Sequence, residues 1–168
     1  MDLLVVRHGA AEDKDAFERT GKDDDLRPLT PGGQREVREV ARALKELLPD
    51  IDALATSPLI RAVQTAEILG DVYGCEPASV EWLRPEASYD DFADWTRSHR
   101  ANKTVAIVGH EPHLSGLVSW LIAGPKRTVL ELKKAGACLL EIEGKVGAGS
   151  GTLIWSMGPK HLRALRWK

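Results

Sequence analysis

Arg7-His8, Arg27, Arg61 and His110 are the side chains through which this chain could do chemistry. The planar arginine fork matches two oxygens of a phosphate at once, so several arginines around a histidine suit a dianionic tetrahedral group. Such a cluster stabilises the charge on a transferring phosphoryl group without a metal. A neutral imidazole is a competent nucleophile near pH 7 once a hydrogen bond fixes its other nitrogen. The expected chemistry is transfer of a phosphoryl group to His8 and from there to water. Taken singly, each residue has a plainer reading, since an arginine at a helix start is most often a surface charge and a histidine after a strand a structural one. Their common placement at or just past strand ends favours a site.

The elements that must position them follow from patterning. Leu3-Leu4-Val5-Val6 reads as a buried strand that runs directly into Arg7, His8 and Gly9. Ligands of open α/β sheets bind at that C-terminal strand end. A polar segment from Ala10 to Arg27 follows, with an acidic run Asp23-Asp24-Asp25 that reads as a solvated face. Thr30 and Pro31 open a helix whose apolar residues recur at helical spacing until Pro49. A strand over Ile51–Thr56 leads to Ser57-Pro58, read as a capped helix start with Arg61 in the first turn.

Further along, Ser79–Leu83 reads as a short strand and Ser88 as the cap of a helix. Thr104–Val108 is a clear strand ending in Gly109-His110, and Pro112 opens an amphipathic helix. Beyond Gly124-Pro125 come two strands, Ala137–Ile142 and Thr152–Met157, joined by the glycine-rich turn Gly144–Gly151, then a basic tail Lys160–Trp167. The expected fold class is α/β: a three-layer sandwich with a mostly parallel central sheet, helices on both faces and an antiparallel C-terminal edge hairpin.

Whole-chain properties set limits. The 168 residues suit a single domain, 1–168, and a net charge of −2 argues against nucleic acid as the main partner. Cys75 and Cys138 lack metal-type spacing and are expected to be reduced thiols. Arg7 interrupts the first apolar run too early for a signal peptide, and Leu114–Ala123 is too short to span a bilayer. A soluble cytoplasmic protein without membrane partners is expected.

The residues also resemble a known family. Val5-Val6-Arg7-His8-Gly9, Leu26-Arg27-Pro28-Leu29-Thr30-Pro31-Gly32-Gly33, Thr56-Ser57-Pro58-Leu59-Ile60-Arg61-Ala62-Val63-Gln64-Thr65-Ala66, Val108-Gly109-His110 and Trp155-Ser156-Met157-Gly158-Pro159 span nearly the whole chain. Together they resemble the histidine phosphatase superfamily, with its Arg-His-Gly motif, and specifically its small SixA-like phosphohistidine phosphatase branch. The resemblance implies that His8 is phosphorylated, that Arg7, Arg27 and Arg61 bind the phosphate, and that His110 completes the pocket by hydrogen-bonding a phosphoryl oxygen. It implies a metal-independent phosphatase without cofactor, acting on phosphohistidine in a phosphorylated protein. The alternatives are a phosphomonoesterase or mutase for a small phosphorylated metabolite, and a non-catalytic phosphate- or partner-binding module. Short length disfavours a mutase with enclosing insertions, and an intact nucleophile disfavours the binding module.

The proton donor is the least defined part. Glu86, in the turn after the third strand, is the best candidate, with Asp90, Asp91 and Glu111 behind it. A phosphorylated imidazole leaves readily once its ring is protonated, so an ill-defined acid suits phosphohistidine better than sugar phosphates. His110 and His113 have a His-x-x-His spacing without a third metal ligand, and His113 is expected on a helix surface. His99 and His161 are expected to be exposed; Trp82 and Trp95 are read as packing residues, with a substrate groove as the less favoured use.

Overall fold

The computed structural model describes residues 1–99, 103–124 and 128–165. Pro125, and the end of the basic tail at Trp167, lie outside the described residues. In chain order the elements are β1 (Asp2–Arg7), α1 (Lys14–Glu18), α2 (Pro31–Leu47), β2 (Ala53–Thr56), α3 (Ile60–Tyr73), β3 (Ala78–Ser79), α4 (Tyr89–Ser98), β4 (Thr104–Gly109), α5 (His113–Ala123), β5 (Ala137–Ile142), β6 (Gly151–Met157) and α6 (Pro159–Ala164). Two 3-10 turns lie at Asp24–Leu26 and Glu81–Leu83.

The six strands form one sheet in the order β3-β2-β4-β1-β5-β6. The first four are parallel, while β5 pairs antiparallel with both β1 and β6. Alternate residues of β1 divide the core. Leu4 and Val6 pack with α2, α3 and α6 residues such as Leu44, Ala66 and Leu162 on one face, and Leu3 and Val5 pack with Phe92 of α4 and Leu117 of α5 on the other. This is the expected three-layer arrangement with an antiparallel edge hairpin. Among the described residues no helix is long and apolar enough to cross a membrane.

Several local expectations change. The strand expected over Ser79–Leu83 is only Ala78–Ser79, followed by the turn at Glu81–Leu83. Trp82 and Leu83 are both buried, and a strand would point such neighbours to opposite faces; the turn lets both face the α4–α5 core. Trp82 packs in tilted fashion against Phe92 and Trp95, each at 5.4 Å between ring centroids, which makes it a packing residue. The polar segment after Gly9 contains α1, capped by the Asp13 side chain on the Ala16 N–H. His161 is exposed as expected, whereas His99 is half-buried against Trp95. His113 is buried rather than on a helix surface, because the Tyr89 ring covers that side of α5 at 5.3 Å.

The segment Leu29–Gly33 clasps the loop that follows His8. The Thr30 N–H and hydroxyl both donate to the Ala10 carbonyl, Ala11 bridges Leu29, and the Thr30 hydroxyl also caps α2 by accepting the Gly33 N–H at 2.9 Å. Gly33 packs so closely under Ala10 that any Cβ would fall well inside contact distance of the Ala10 carbonyl oxygen. Gly33→Ala is therefore expected to destabilise the fold by about 1–3 kcal/mol in denaturant titration, because backbone must move. An unchanged midpoint would show that the clasp is loose.

Candidate active site

The parallel register of β1 and β4 pairs Arg7 with Gly109, so the chain leaves both strands with histidines side by side. The His8 N–H donates to the Gly109 carbonyl at 3.1 Å, and the His8 and His110 rings lie 4.9 Å apart. In β2 the residue after Thr56 continues the same edge, with the Ser57 N–H on the Val108 carbonyl. Arg61 follows in the first turn of α3. Arg7, His8, Arg27, Arg61 and His110 all line one open depression of about 540 Å3, together with Glu12 and Lys134. Arg7, His8 and His110 come from the C-terminal ends of β1 and β4 or directly after them, Arg61 from the first turn of the helix that follows β2, and Arg27 from the segment before α2.

His8 is 6% exposed, and its Nδ1 lies 2.7 Å from the Gly9 carbonyl oxygen. A carbonyl only accepts, so Nδ1 carries the hydrogen and Nε2 carries the lone pair. Burial lowers the His8 pKa from 6.5 to about 4; the Gly9 carbonyl partly opposes this, while Arg61, Arg7 and Lys134 reinforce it. The ring is neutral at pH 7. His110 is lowered to about 2 by burial first, then by His8, Arg61 and His113. Its Nε2 lies 2.8 Å from the Ser57 hydroxyl, and its buried Nδ1 has no partner among the described residues. The ring hydrogen sits on Nδ1 in the tautomer in which the Ser57 hydroxyl donates to Nε2, and on Nε2 in the tautomer in which the hydroxyl accepts.

The arginines are held from behind. Arg7 Nη1 donates to the Leu132 carbonyl at 2.7 Å. Arg27 donates from Nε to Asp24 Oδ1 at 2.7 Å and from Nη1 to the Glu12 carbonyl at 2.8 Å. Arg61 donates from Nη1 to the Asp24 carbonyl at 2.9 Å and its Nη2 pairs with Asp24 Oδ2 at 3.1 Å. Burial lowers the Arg61 pKa, and Asp24 opposes that shift.

Several residues build this site through partners distant in sequence. Ser57 does not cap α3 as expected, since Leu59 occupies the N-cap position and the Ser57 hydroxyl meets His110 instead. The Thr65 hydroxyl accepts the Gly9 N–H at 3.1 Å and donates to the Arg61 carbonyl at 2.8 Å, so one side chain ties the nucleophile loop to the arginine helix. Gln64 Oε1 accepts the Leu29 N–H at 2.8 Å. Asp24, read as part of a solvated run, bridges two arginines. Of the acid candidates, Glu86 is exposed and does not line the depression, although it lies near enough to His113 to favour that ring's charged form. Asp90 and Asp91 are exposed residues of the first turn of α4. Glu111 does line it, as Glu12 and Asp13 do, and Glu111 Oε1 accepts the Leu132 N–H at 3.2 Å.

Comparison with known proteins agrees with this geometry. The family model described as "Histidine phosphatase superfamily (branch 1)" matches residues 3–98. The phosphohistidine phosphatase SixA of Escherichia coli is 30% identical over 97% of both chains. An uncharacterized protein of Picosynechococcus is 35% identical over 81% of this chain and 82% of its own. Among solved structures, the protein histidine phosphatase SixA complexed with tungstate superposes with a TM-score of 0.82 at 26% identity, over 96% of this chain and 99% of that one. The stretch matched by the family model contains Arg7, His8, Arg27 and Arg61, which line a common depression, and the chain belongs to the histidine phosphatase superfamily.

Proposed function

We propose that this protein is a phosphohistidine phosphatase that works through a phospho-His8 intermediate. The observation that carries the reading is the His8 ring: neutral, fixed by the Gly9 carbonyl with Nε2 free to attack, and set in one depression with Arg7, Arg27, Arg61 and His110. His8 Nε2 attacks the phosphorus of a phosphorylated imidazole; the N–P bond of the substrate breaks as the His8 N–P bond forms, and the departing imidazole keeps a proton on its ring. Water then attacks phosphorus, the His8 N–P bond breaks, and phosphate leaves with His8 neutral again. The three guanidiniums offset the charge of the transferring group throughout, and His110 Nδ1 donates to one of its oxygens. An open depression admits a histidine carried on another protein, and the SixA relative is named for phosphohistidine.

Because imidazole is a good leaving group when protonated, this step makes little demand on a carboxylic acid such as Glu86, which lies exposed outside the depression. With a phosphohistidine protein, free phosphohistidine and sugar phosphates compared by kcat/KM, the phosphohistidine protein is expected to lead by at least about tenfold. Activity is expected to persist in excess chelator. Glu86→Gln should change phosphohistidine hydrolysis little. A sugar phosphate that leads the panel would overturn the reading.

The neutral nucleophile has a direct check. The pKa of His8 is about 4 in the fold against an ordinary 6.5, so an NMR titration should find its ring uncharged at pH 6 and half-protonated near pH 4. The folded value lies below the unfolded one, so the unfolded chain binds the proton first as pH falls. Stability from this residue is full above pH 6.5 and is lost as pH drops toward 4. A His8 ring that titrates near 6.5 would contradict both statements.

A further inference from the structure

The acidic run before Arg27 does more than face solvent. Two guanidiniums that line one pocket repel each other, and both would drift toward water when no phosphate holds them. Asp24 places one carboxylate oxygen on each, Oδ1 at 2.7 Å from Arg27 Nε and Oδ2 at 3.1 Å from Arg61 Nη2. Its backbone carbonyl takes a third donor, Arg61 Nη1, at 2.9 Å. These bonds use Nε and one terminal nitrogen of Arg27, counting the Glu12 carbonyl, and both terminal nitrogens of Arg61. Among the described residues, Arg27 Nη2 and the buried Arg61 Nε have no hydrogen-bond partner. Asp24 itself does not line the depression, while both arginines do, so the carboxylate sits behind them rather than in the place a phosphate would take.

The strap that carries Asp24 is itself fastened. Asp25 pairs with Arg84 at 2.8 Å, Arg84 pairs with Glu81 at 2.6 Å, and Pro85 beside them lines the depression. Asp23 caps the 3-10 turn through the Asp25 N–H, which sets the backbone direction at Asp24. Arg27 holds the Asp24 carboxyl below the usual carboxylate range, so the bridge stays charged in neutral solution.

We propose that Asp24 is a positioning residue of the phosphate pocket, bridging Arg27 and Arg61 so that their remaining N–H groups stay aimed at the phosphoryl oxygens. The proposal rests on the reading of this depression as a phosphate site. It also separates the three acidic neighbours into different tasks, with Asp23 shaping the strap, Asp24 orienting the arginines and Asp25 anchoring the strap to the far rim.

Tungstate, a tetrahedral oxyanion, tests it by calorimetric binding to wild type, Asp24→Asn, Arg27→Ala and the double variant. Asp24→Asn keeps side-chain size and is expected to weaken tungstate about tenfold, as for loss of a charged hydrogen-bond partner. In the Arg27→Ala background the same change should cost about threefold or less, because one of the two groups it orients is gone. Asp24→Glu, which keeps the charge, should retain more affinity than Asp24→Asn. An Asp24→Asn protein that binds tungstate as well as or better than wild type overturns the proposal, as does an equal loss in both backgrounds, which would mark a general structural role. Failure of wild type itself to bind tungstate would overturn the phosphate reading as well.

Discussion

The parallel pairing of β1 with β4 is the constraint on which the rest of this structure depends. It sets Arg7 opposite Gly109, so His8 and His110 emerge as neighbours from two strands whose interior residues are buried between helix layers. Side chains on strand ends inherit the rigidity of the sheet, and a nucleophile must hold its geometry closely. The β1–β5 pairing on the other side fixes the same point: the Arg7 N–H donates to the Gly136 carbonyl and the Ala135 N–H to the His8 carbonyl. His8 is thus held by backbone on both flanks before any side chain contributes.

The second constraint is charge. Three guanidiniums line the depression around His8, and burial together with the charges of Arg61, Arg7 and Lys134 keeps its ring neutral. A carboxylate behind the arginines offsets their repulsion without taking the place of a phosphate. Asp24 stands in that rear position, and backbone carbonyls of Glu12, Asp24 and Leu132 supply the remaining acceptors. The same logic accounts for Thr65 and Gln64, which lock the Arg61 helix to the Gly9 and Leu29 loops through hydrogen bonds rather than charge.

Much of the sheet and the central residues of the site were legible in the sequence because each rests on a local pattern. Apolar runs that end in Arg7-His8, Thr56 and Gly109-His110 announce strands that terminate in chemistry, and Thr30-Pro31 announces a helix that begins where the structure has it. Features that depend on distant partners were not legible. Ser57 carries the signature of a helix cap, yet the β2–β4 pairing brings His110 within reach of its hydroxyl. His113 lies at the start of an amphipathic helix, and only the arrival of Tyr89 from α4 makes that side buried. Asp24 looks like one charge in a solvated run, because its partner Arg61 is 37 residues away. Val80–Leu83 has strand composition, but the α4–α5 core requires two adjacent side chains on one face.

Covalent chemistry at His8 is the central claim, and it can be observed directly. The protein is mixed with a phosphohistidine donor labelled on phosphorus, quenched in alkaline denaturant within the first turnovers, and digested for mass spectrometry. A base-stable, acid-labile phosphoryl group on the peptide containing His8, absent from a His8→Ala variant, is the predicted result. Turnover of the donor with no such group on His8, or with His8→Ala turning over at the wild-type rate, would contradict the account.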